Sequence, residues 1–361
     1  MFTLKSAEVS ESSRKIFDRL ISPDSGPNFV LGRNKYAQSV AEVLKVDGFI
    51  DDYTEEREYL GKPLLRMSEL PKNCIVISCV VDASPLVARK RLGNAGINAV
   101  IDYFALQRLL PGQIRSVDYS EYNKEDLINN RSKYEWIYGR LADKTSQQVL
   151  QKVSQFRYSW NLDCMEGFQL AVDRQYFDDF VPLVPQPVFV DGGGFDGQTT
   201  RRFAQRYPDY RRIYYFEPCQ KMEKISREKL SDLNSVMIIP KGLSCQNGWV
   251  QFDASSGPAS KISEQGNEKI EVVRLDDEVT EPVTFIKLDI EGAEFDAIAG
   301  AQKHIASDSP ILAVCVYHDQ RDFWRIPERV LQYNPAYKVY LRHYTEGILE
   351  TVMYFIPSSS T

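Results

Sequence analysis

Long apolar runs, paired cysteines, a basic surface and histidine are all scarce or missing in this chain, and each absence narrows what it can be. The longest apolar stretches, residues 74–81 and 311–317, have the length of β-strands. They fall far short of the roughly 20 residues a membrane helix needs, so no membrane span is expected. Residues 1–20 are polar and lack the charged-then-apolar layout of a secretory leader. Six cysteines (Cys74, Cys79, Cys164, Cys219, Cys245 and Cys315) form no CxxC pair and no regular spacing. That pattern argues against a zinc ribbon or a disulfide scaffold. Several of them lie inside apolar runs and read as buried thiols, so a reducing, cytoplasmic setting is expected. The formal net charge is −6, whereas a nucleic-acid partner calls for a clustered Lys/Arg surface. The pairs Arg201-Arg202 and Arg211-Arg212 read as solvated helix faces, and no nucleic-acid partner is expected.

What is present is an ordinary globular composition, 43% apolar and 26% charged, in 361 residues, a length that suits two domains. Three regions separate by pattern. In residues 28–106 strand and helix alternate: a short apolar run at 28–34 ending at Gly32, strands at 48–52, 74–81 and 99–103, and helices at 36–45 and 85–95. Residues 107–186 lack that alternation. Stretches 132–143 and 146–156 carry apolar residues at helical spacing, and Pro182, Pro185 and Pro187 close this helical connector. From residue 187 the alternation returns, with strands at 188–191, 212–217, 236–240, 285–289 and 311–317. Helices fall at 199–206, 221–230 and 293–305. The last two strands, 337–343 and 350–356, are joined by only six residues. So short a link makes a hairpin and not a crossover, so the final strand runs antiparallel. Residues 1–27 are read as an N-terminal extension.

The most informative segment is Asp191-Gly192-Gly193-Gly194-Phe195-Asp196-Gly197, between an apolar strand and a helix. Glycines there let the backbone turn tightly and approach a ligand at the carboxyl end of the first strand. The next strand ends in Glu217, followed by Pro218, which turns the chain away. A carboxylate at that point accepts hydrogen bonds from the hydroxyls of an adenosine ribose. A dinucleotide remains one candidate ligand. The spacing, however, is DxGxxxG and not GxGxxG. Asp191 is badly placed beside a pyrophosphate and well placed for the ammonium, or an ordered water, of an amino-acid ligand. S-adenosyl-L-methionine carries such an end and no phosphate. Gly242-Leu243-Ser244, just past the third strand, is the expected backbone rim for the adenine.

These residues and those downstream resemble the FkbM family of methyltransferases. The likeness covers roughly residues 176–357. It runs through the loop at 190–199, Tyr215-Phe216-Glu217-Pro218, and Lys287-Leu288-Asp289-Ile290-Glu291-Gly292-Ala293-Glu294. It continues through Val316-Tyr317-His318, Ile326-Pro327, Leu341-Arg342-His343-Tyr344 and Glu350-Thr351-Val352-Met353-Tyr354. The resemblance implies an α/β fold: a class I, Rossmann-like methyltransferase domain over 187–361 with an antiparallel terminal hairpin. A smaller Rossmann-like domain (28–106) and the helical connector (107–186) precede it. Implied too are S-adenosyl-L-methionine as cofactor and Asp191, Gly192, Gly193, Gly194, Phe195, Gly197, Glu217, Pro218, Gly242 and Leu243 as its binding residues. The implied chemistry is O-methylation, with a sugar hydroxyl of a small molecule or glycan as acceptor, in polysaccharide or glycoconjugate synthesis. One departure stands out: Gly194-Phe195 occupies the place where the family usually has Ala-Asn.

In a doubly wound sheet the ligand lies at the carboxyl ends of the strands. Asp289 ends the fourth strand and His318 the fifth, so both are expected to act on an acceptor hydroxyl, which needs a base within hydrogen-bond reach. A turn-satisfying role for His318 stays open. His343 reads as structural or acceptor-lining, and His304 as ordinary helix surface. Asp289, Glu291 and Glu294 invite a magnesium reading. The helix that follows explains Glu291 and Glu294 as first-turn acids meeting its dipole, so no metal is expected. Lys287 is expected to pair with one of those three carboxylates. Residues 248–273 read as a β-rich insertion, within which Ala259-Ser260-Lys261-Ile262 also recurs in FkbM-like chains.

Residues 28–104 resemble the Rossmann-like N-terminal domain of sugar acetyltransferases through Val30-Leu31-Gly32 and Gly48-Phe49-Ile50-Asp51-Asp52. Its loop has one glycine, too few for a phosphate cradle, although Arg33 and Lys35 could meet a phosphate. A scaffold or homo-oligomer contact is the competing role. An NAD(P)-dependent oxidoreductase and a non-catalytic nucleotide-sugar binding protein are the alternative functions.

Overall fold

The computed structural model describes residues 1–23, 26–253, 261–262, 266 and 268–358. The chain divides into two compact units: Met1–Asn129 with Leu150–Val172 and Tyr344–Leu349, and Asn130–Val149 with Asp173–His343 and Glu350–Thr361. Among the described residues no helix is long and apolar enough to cross a membrane.

The first unit holds α1 (Glu11–Leu20), β1 (Asn28–Leu31), α2 (Lys35–Val43), β2 (Gly48–Ile50), β3 (Glu58–Tyr59), β4 (Lys62–Leu65), β5 (Ile75–Ser78), α3 (Pro85–Asn94), β6 (Val100–Asp102), α4 (Tyr103–Leu109) and α5 (Asn123–Asn129). Its sheet runs β3-β4-β2-β1-β5-β6, parallel except for the β3–β4 pair. Val30, Phe49, Ile50, Val76 and Ile77 are fully buried, as strands of a parallel sheet covered on both faces must be. The polar stretch before residue 28 is more ordered than its composition suggests. Ser10 caps α1 by accepting from the Ser13 amide, and Phe2 and Val9 are buried. Asn34 caps α2 through the amides of Tyr36 and Ala37. The two cations of that loop are each matched by acids. Arg33 pairs with Asp51 at 2.8 Å and with Glu56, and Lys35 pairs with Asp118.

The boundary between units falls twice among the helices that follow, around α6 (Arg131–Arg140) and within α7 (Lys144–Ser159). The second unit continues with β7 (Val188–Gly192), α8 (Gln198–Arg206), β8 (Arg212–Phe216), α9 (Gln220–Lys229), β9 (Val236–Ile239), β10 (Gly242–Leu243), β11 (Gly248–Asp253), β12 (Lys261–Ile262) and β13 (Glu268–Val273). Then come α10 (Leu275–Glu278), β14 (Phe285–Leu288), α11 (Glu294–Gly300), α12 (Gln302–Ser307), β15 (Ile311–Cys315), α13 (Asp322–Tyr333), β16 (Tyr337–His343) and β17 (Thr351–Pro357). The seven-stranded sheet has the order β16-β17-β15-β14-β7-β8-β9. Its strands β15-β14-β7-β8-β9 are parallel, and β17 inserts antiparallel between β15 and β16. This is the parallel sheet finished by an antiparallel hairpin that the short 344–349 link requires. The order also reverses at β7, where successive strands turn to opposite sides. That is the switch point at which a ligand crevice opens.

The insertion is β-rich, a four-stranded sheet β10-β13-β11-β12. Gly257-Pro258 and the Ala259-Ser260 half of the recurring motif lie outside the described residues. The helix expected over 293–305 is two helices, α11 and α12, parted at Ala301. Gly300 there lies so close to the Ser244 backbone that a Cβ would fall 2.0 Å from its carbonyl oxygen.

Gly300→Ala is therefore expected to destabilise the protein by roughly 1–3 kcal/mol through overpacking against immovable backbone. Gly139→Ala, inside α6 with nothing within 4 Å of its Cβ position, should be neutral or stabilise by up to about 1 kcal/mol. Denaturant titration of both variants checks the contrast; equal stabilities would contradict it.

Candidate active site

The loop after β7 is built around backbone packed against backbone. Gly193 has φ +74° and a Cβ there would sit 1.8 Å from the Asp289 carbonyl oxygen; at Gly194 it would sit 1.9 Å from the Tyr215 ring. The amides of Gly193 and Gly194 both donate to the Phe216 carbonyl, at 3.0 and 3.1 Å. Gly197, at φ +81°, is the residue that caps the start of α8. Only glycine meets these demands without strain. Phe195 adopts φ +50°, and its backbone is held on both sides. Its amide donates to Glu217 Oε2 at 2.9 Å, and its carbonyl accepts from the Tyr215 hydroxyl at 2.6 Å and the Ser226 hydroxyl at 2.8 Å. The ring itself is 36% exposed. Losing the family's Asn at this position leaves the backbone role of the loop intact.

Glu217 follows β8 and is buried. Its other oxygen accepts from the Cys219 amide at 2.9 Å across Pro218. Burial raises its carboxyl to about 6, partly opposed by those two amide donors. Each oxygen keeps lone-pair capacity for a further donor. Gly242 and Leu243 form β10 beside β13.

Asp191 is fully buried and occupied from two sides. Thr200 donates to Oδ2 at 2.7 Å, and Lys287 Nζ lies 3.0 Å from Oδ1. The partner of Lys287 is thus Asp191 and not Asp289, Glu291 or Glu294. Register decides this, because Lys287 on β14 is directly opposite Asp191 on β7. The ammonium also donates to the carbonyls of Gly192 at 3.0 Å and Gly193 at 2.6 Å. Burial alone would lower the pKa of Lys287, but the charges of Asp191 and Asp289 outweigh it and hold it above its usual value.

A second group of side chains gathers past the ends of β14 and β15. Asp289 Oδ2 accepts from the Tyr176 hydroxyl at 2.7 Å, and Oδ1 from the Tyr317 hydroxyl at 3.3 Å. Burial would raise its carboxyl, but Lys287 and His318 hold it below the usual range. His318 has a fully buried side chain, with Nδ1 2.9 Å from Glu294 Oε1 and Nε2 3.4 Å from Glu291 Oε2 and 3.7 Å from Asp289 Oδ1. Burial lowers the imidazole pKa. The carboxylates of Glu294, Glu291 and Asp289 more than reverse this and push it up to about 10. Glu294, with no exposed surface, accepts from the amides of Ile290 at 2.8 Å and Gly292 at 3.0 Å. Glu291 is not on the first turn of the helix. It precedes α11 in a left-handed turn, at φ +57° before Gly292 at φ +100°. The helix dipole therefore does not account for it.

Three residues here have no local sequence signal. Tyr176 (φ +70°) and Glu350 (φ +67°) sit in left-handed conformations, and Gln175 donates to both Glu350 Oε2 and the Tyr176 hydroxyl. Burial, reinforced by Asp289, raises the Glu350 carboxyl to about 7. The remaining histidines are each held by local partners. His304 is buried, contrary to the surface position expected for it: its ring reaches Asp308 Oδ2 at 2.6 Å and the Val279 carbonyl at 3.0 Å. Its face of α12 turns inward, where a polar ring must be satisfied. His343 pairs with Thr351 across the hairpin, ring to hydroxyl at 2.8 Å.

Removing the ammonium should be severe. Lys287→Met leaves Asp191 charged and buried beside an apolar chain, an expected cost of about 3–5 kcal/mol. The double variant Asp191→Asn/Lys287→Met should recover much of that loss. Chemical unfolding of the two variants reads the difference; no recovery would show that the charge pair is not what the loop depends on.

Residues 191–345 match the family described as Methyltransferase FkbM domain. The 2-O-methyltransferase NoeI of Sinorhizobium fredii (strain NBRC 101917 / NGR234) is 30% identical over 144 residues, 33% of this chain and 59% of that protein. The crystal structure of methyltransferase FkbM from Methylobacillus flagellatus KT superposes with a TM-score of 0.75 at 21% identity, covering 96% of this chain and 94% of that one. That likeness is one of fold and takes in both units. The match to the FkbM methyltransferase domain thus rests on residues 191–345, somewhat less than half of the chain, and the chain spans 59% of the length of the NoeI relative.

Proposed function

We propose that this chain transfers a methyl group from S-adenosyl-L-methionine to a hydroxyl of a sugar. The observation that carries the reading is the pairing of two sites on one sheet edge. Glu217 is tied to the glycine loop through the Phe195 amide at 2.9 Å, and Asp289 lies beyond the neighbouring strand with its backbone against Gly193. The NoeI relative is by name a 2-O-methyltransferase, which supports oxygen as the acceptor atom.

The residues present fit the cofactor. Glu217 offers both carboxylate oxygens, each steadied by one backbone amide, to two ribose hydroxyls. Gly192, Gly193, Gly194 and Gly197 leave the loop without Cβ bulk, and Phe195, Pro218, Gly242 and Leu243 border the nucleoside. Asp191 serves at one remove: it holds Lys287, and Lys287 holds the loop carbonyls. When bound, S-adenosyl-L-methionine supplies a methyl carbon on cationic sulfur, to which the acceptor oxygen bonds as the carbon–sulfur pair returns to sulfur. Asp289, kept ionised, accepts the hydroxyl proton. Tyr176 and Tyr317 fix the direction of its lone pairs, and His318 with Glu294 anchors the carboxylates around the acceptor oxygen. In the first unit, the pairing of Arg33 and Lys35 with carboxylates supports a scaffold role over phosphate binding.

Three outcomes are expected. Calorimetry should show binding of S-adenosyl-L-methionine and none of NAD(P); the reverse would replace the reading with an oxidoreductase. Glu217→Ala should weaken the cofactor by about 10- to 100-fold, as loss of hydrogen bonds to a charged group implies. Affinity in the wild type should hold above pH 6 and fall as pH drops through about 6, where Glu217 takes up a proton. Asp289→Ala should abolish the gain of one methyl by mass across a panel of sugars, with cofactor affinity unchanged. Full turnover in that variant would remove Asp289 from the mechanism.

A further inference from the structure

We propose that Asp289, Glu291 and His318 together hold a divalent cation of the Mg2+ or Mn2+ kind, set to receive two adjacent hydroxyl oxygens of the acceptor. The inference rests on the methyl-transfer reading for its acceptor, but its first observation is independent of it. One donor atom from each of the three residues lies within 4.8 Å of the other two. His318 Nε2 is 3.4 Å from Glu291 Oε2 and 3.7 Å from Asp289 Oδ1. Both separations exceed the range of about 2.7–3.2 Å for an N–H···O hydrogen bond. Donors sharing one ion at bond lengths of about 2.1–2.4 Å stand roughly 3–4 Å apart.

The imidazole is aimed from behind. Nδ1 lies 2.9 Å from Glu294, whose carboxylate is itself fixed by the Ile290 and Gly292 amides. A carboxylate behind the imidazole is the arrangement that orients a ligating histidine, and a cation at Nε2 would displace the proton that the surrounding carboxylates otherwise keep there. The surrounding charge points the same way. Lys287 is matched by Asp191, and His318 by Glu294, while Asp289, Glu291 and Glu350 stand together beyond them. A partly buried excess of carboxylate favours a cation.

Exposure gives the site a direction. The His318 side chain is fully buried, whereas Asp289 and Glu291 are 23% and 20% exposed. The ion would rest on a buried imidazole floor with its outer side open. Three protein donors leave further positions that a hard cation fills with water or alcohol oxygens, and a vicinal diol fits two of them. The bonds made and broken remain those of methyl transfer; the ion binds the acceptor and eases loss of its hydroxyl proton.

The test uses the full chain and Mn2+, whose free form is read by electron paramagnetic resonance. One Mn2+ per chain should bind to the wild type. Binding should weaken by about tenfold or more in Glu291→Gln, a partly exposed position where the thermal melt should not move. His318→Ala should lose the ion as well, and if that variant fails to fold, Glu291→Gln decides alone. Chelation should remove turnover, and Mg2+ or Mn2+ should restore it. Equal Mn2+ affinity in wild type and Glu291→Gln, or full turnover under chelation, would overturn the proposal while leaving methyl transfer standing. Absence of cofactor binding would instead overturn the methyl-transfer reading, and the Mn2+ titration would still report on the ion.

Discussion

The second unit is organised by the buried pairing of Lys287 with Asp191. An ammonium with 1% exposure is stable only if its charge and its donors are met. Here one carboxylate and two loop carbonyls meet them. Because the pair spans neighbouring parallel strands, it fixes the end of β7 against the end of β14. The glycine loop and Asp289 leave from those two points. The Asp289 backbone then closes on Gly193 tightly enough to forbid any side chain there. The glycine loop beside Glu217 and the chain leaving β14 at Asp289 are thus set by one interaction.

From that anchor the two halves diverge in character. Around Glu217 the donors are backbone amides, which suits recognition of fixed hydroxyls. Past β14 and β15 the groups are ionisable and crowded: Asp289 is held low, His318 high, and Glu350 near neutrality. Carboxyls with separated pKa values in one place mark chemistry more than scaffolding. Left-handed backbone occurs in both halves, at Phe195 in the glycine loop as well as around Asp289. Tyr176, Glu291 and Glu350 all adopt left-handed conformations disfavoured for residues with a Cβ, and strain of this kind tends to collect where side chains must be aimed.

What the sequence made legible was whatever is local. The glycine loop, Glu217 and Asp289 each sit at a strand end, where an apolar run gives way to a polar residue. The antiparallel last strand follows from a six-residue link. Contacts set by register or by distant segments were not legible. The partner of Lys287 depends on which strand lies beside β14. Tyr176 reaches Asp289 from 113 positions away. The left-handed turn at Glu291 looks, in the chain, like the first turn of a helix, and the inward face of α12 that buries His304 reads like any other polar helix.

The central claim is that one sheet edge brings a nucleoside held by Glu217 to an acceptor held at Asp289. The most direct measurement is a crystal structure with S-adenosylhomocysteine bound. It should show both ribose hydroxyls on the Glu217 carboxylate and the sulfur turned toward Asp289. A nucleoside bound away from Glu217, or a sulfur facing away from Asp289, would contradict the account.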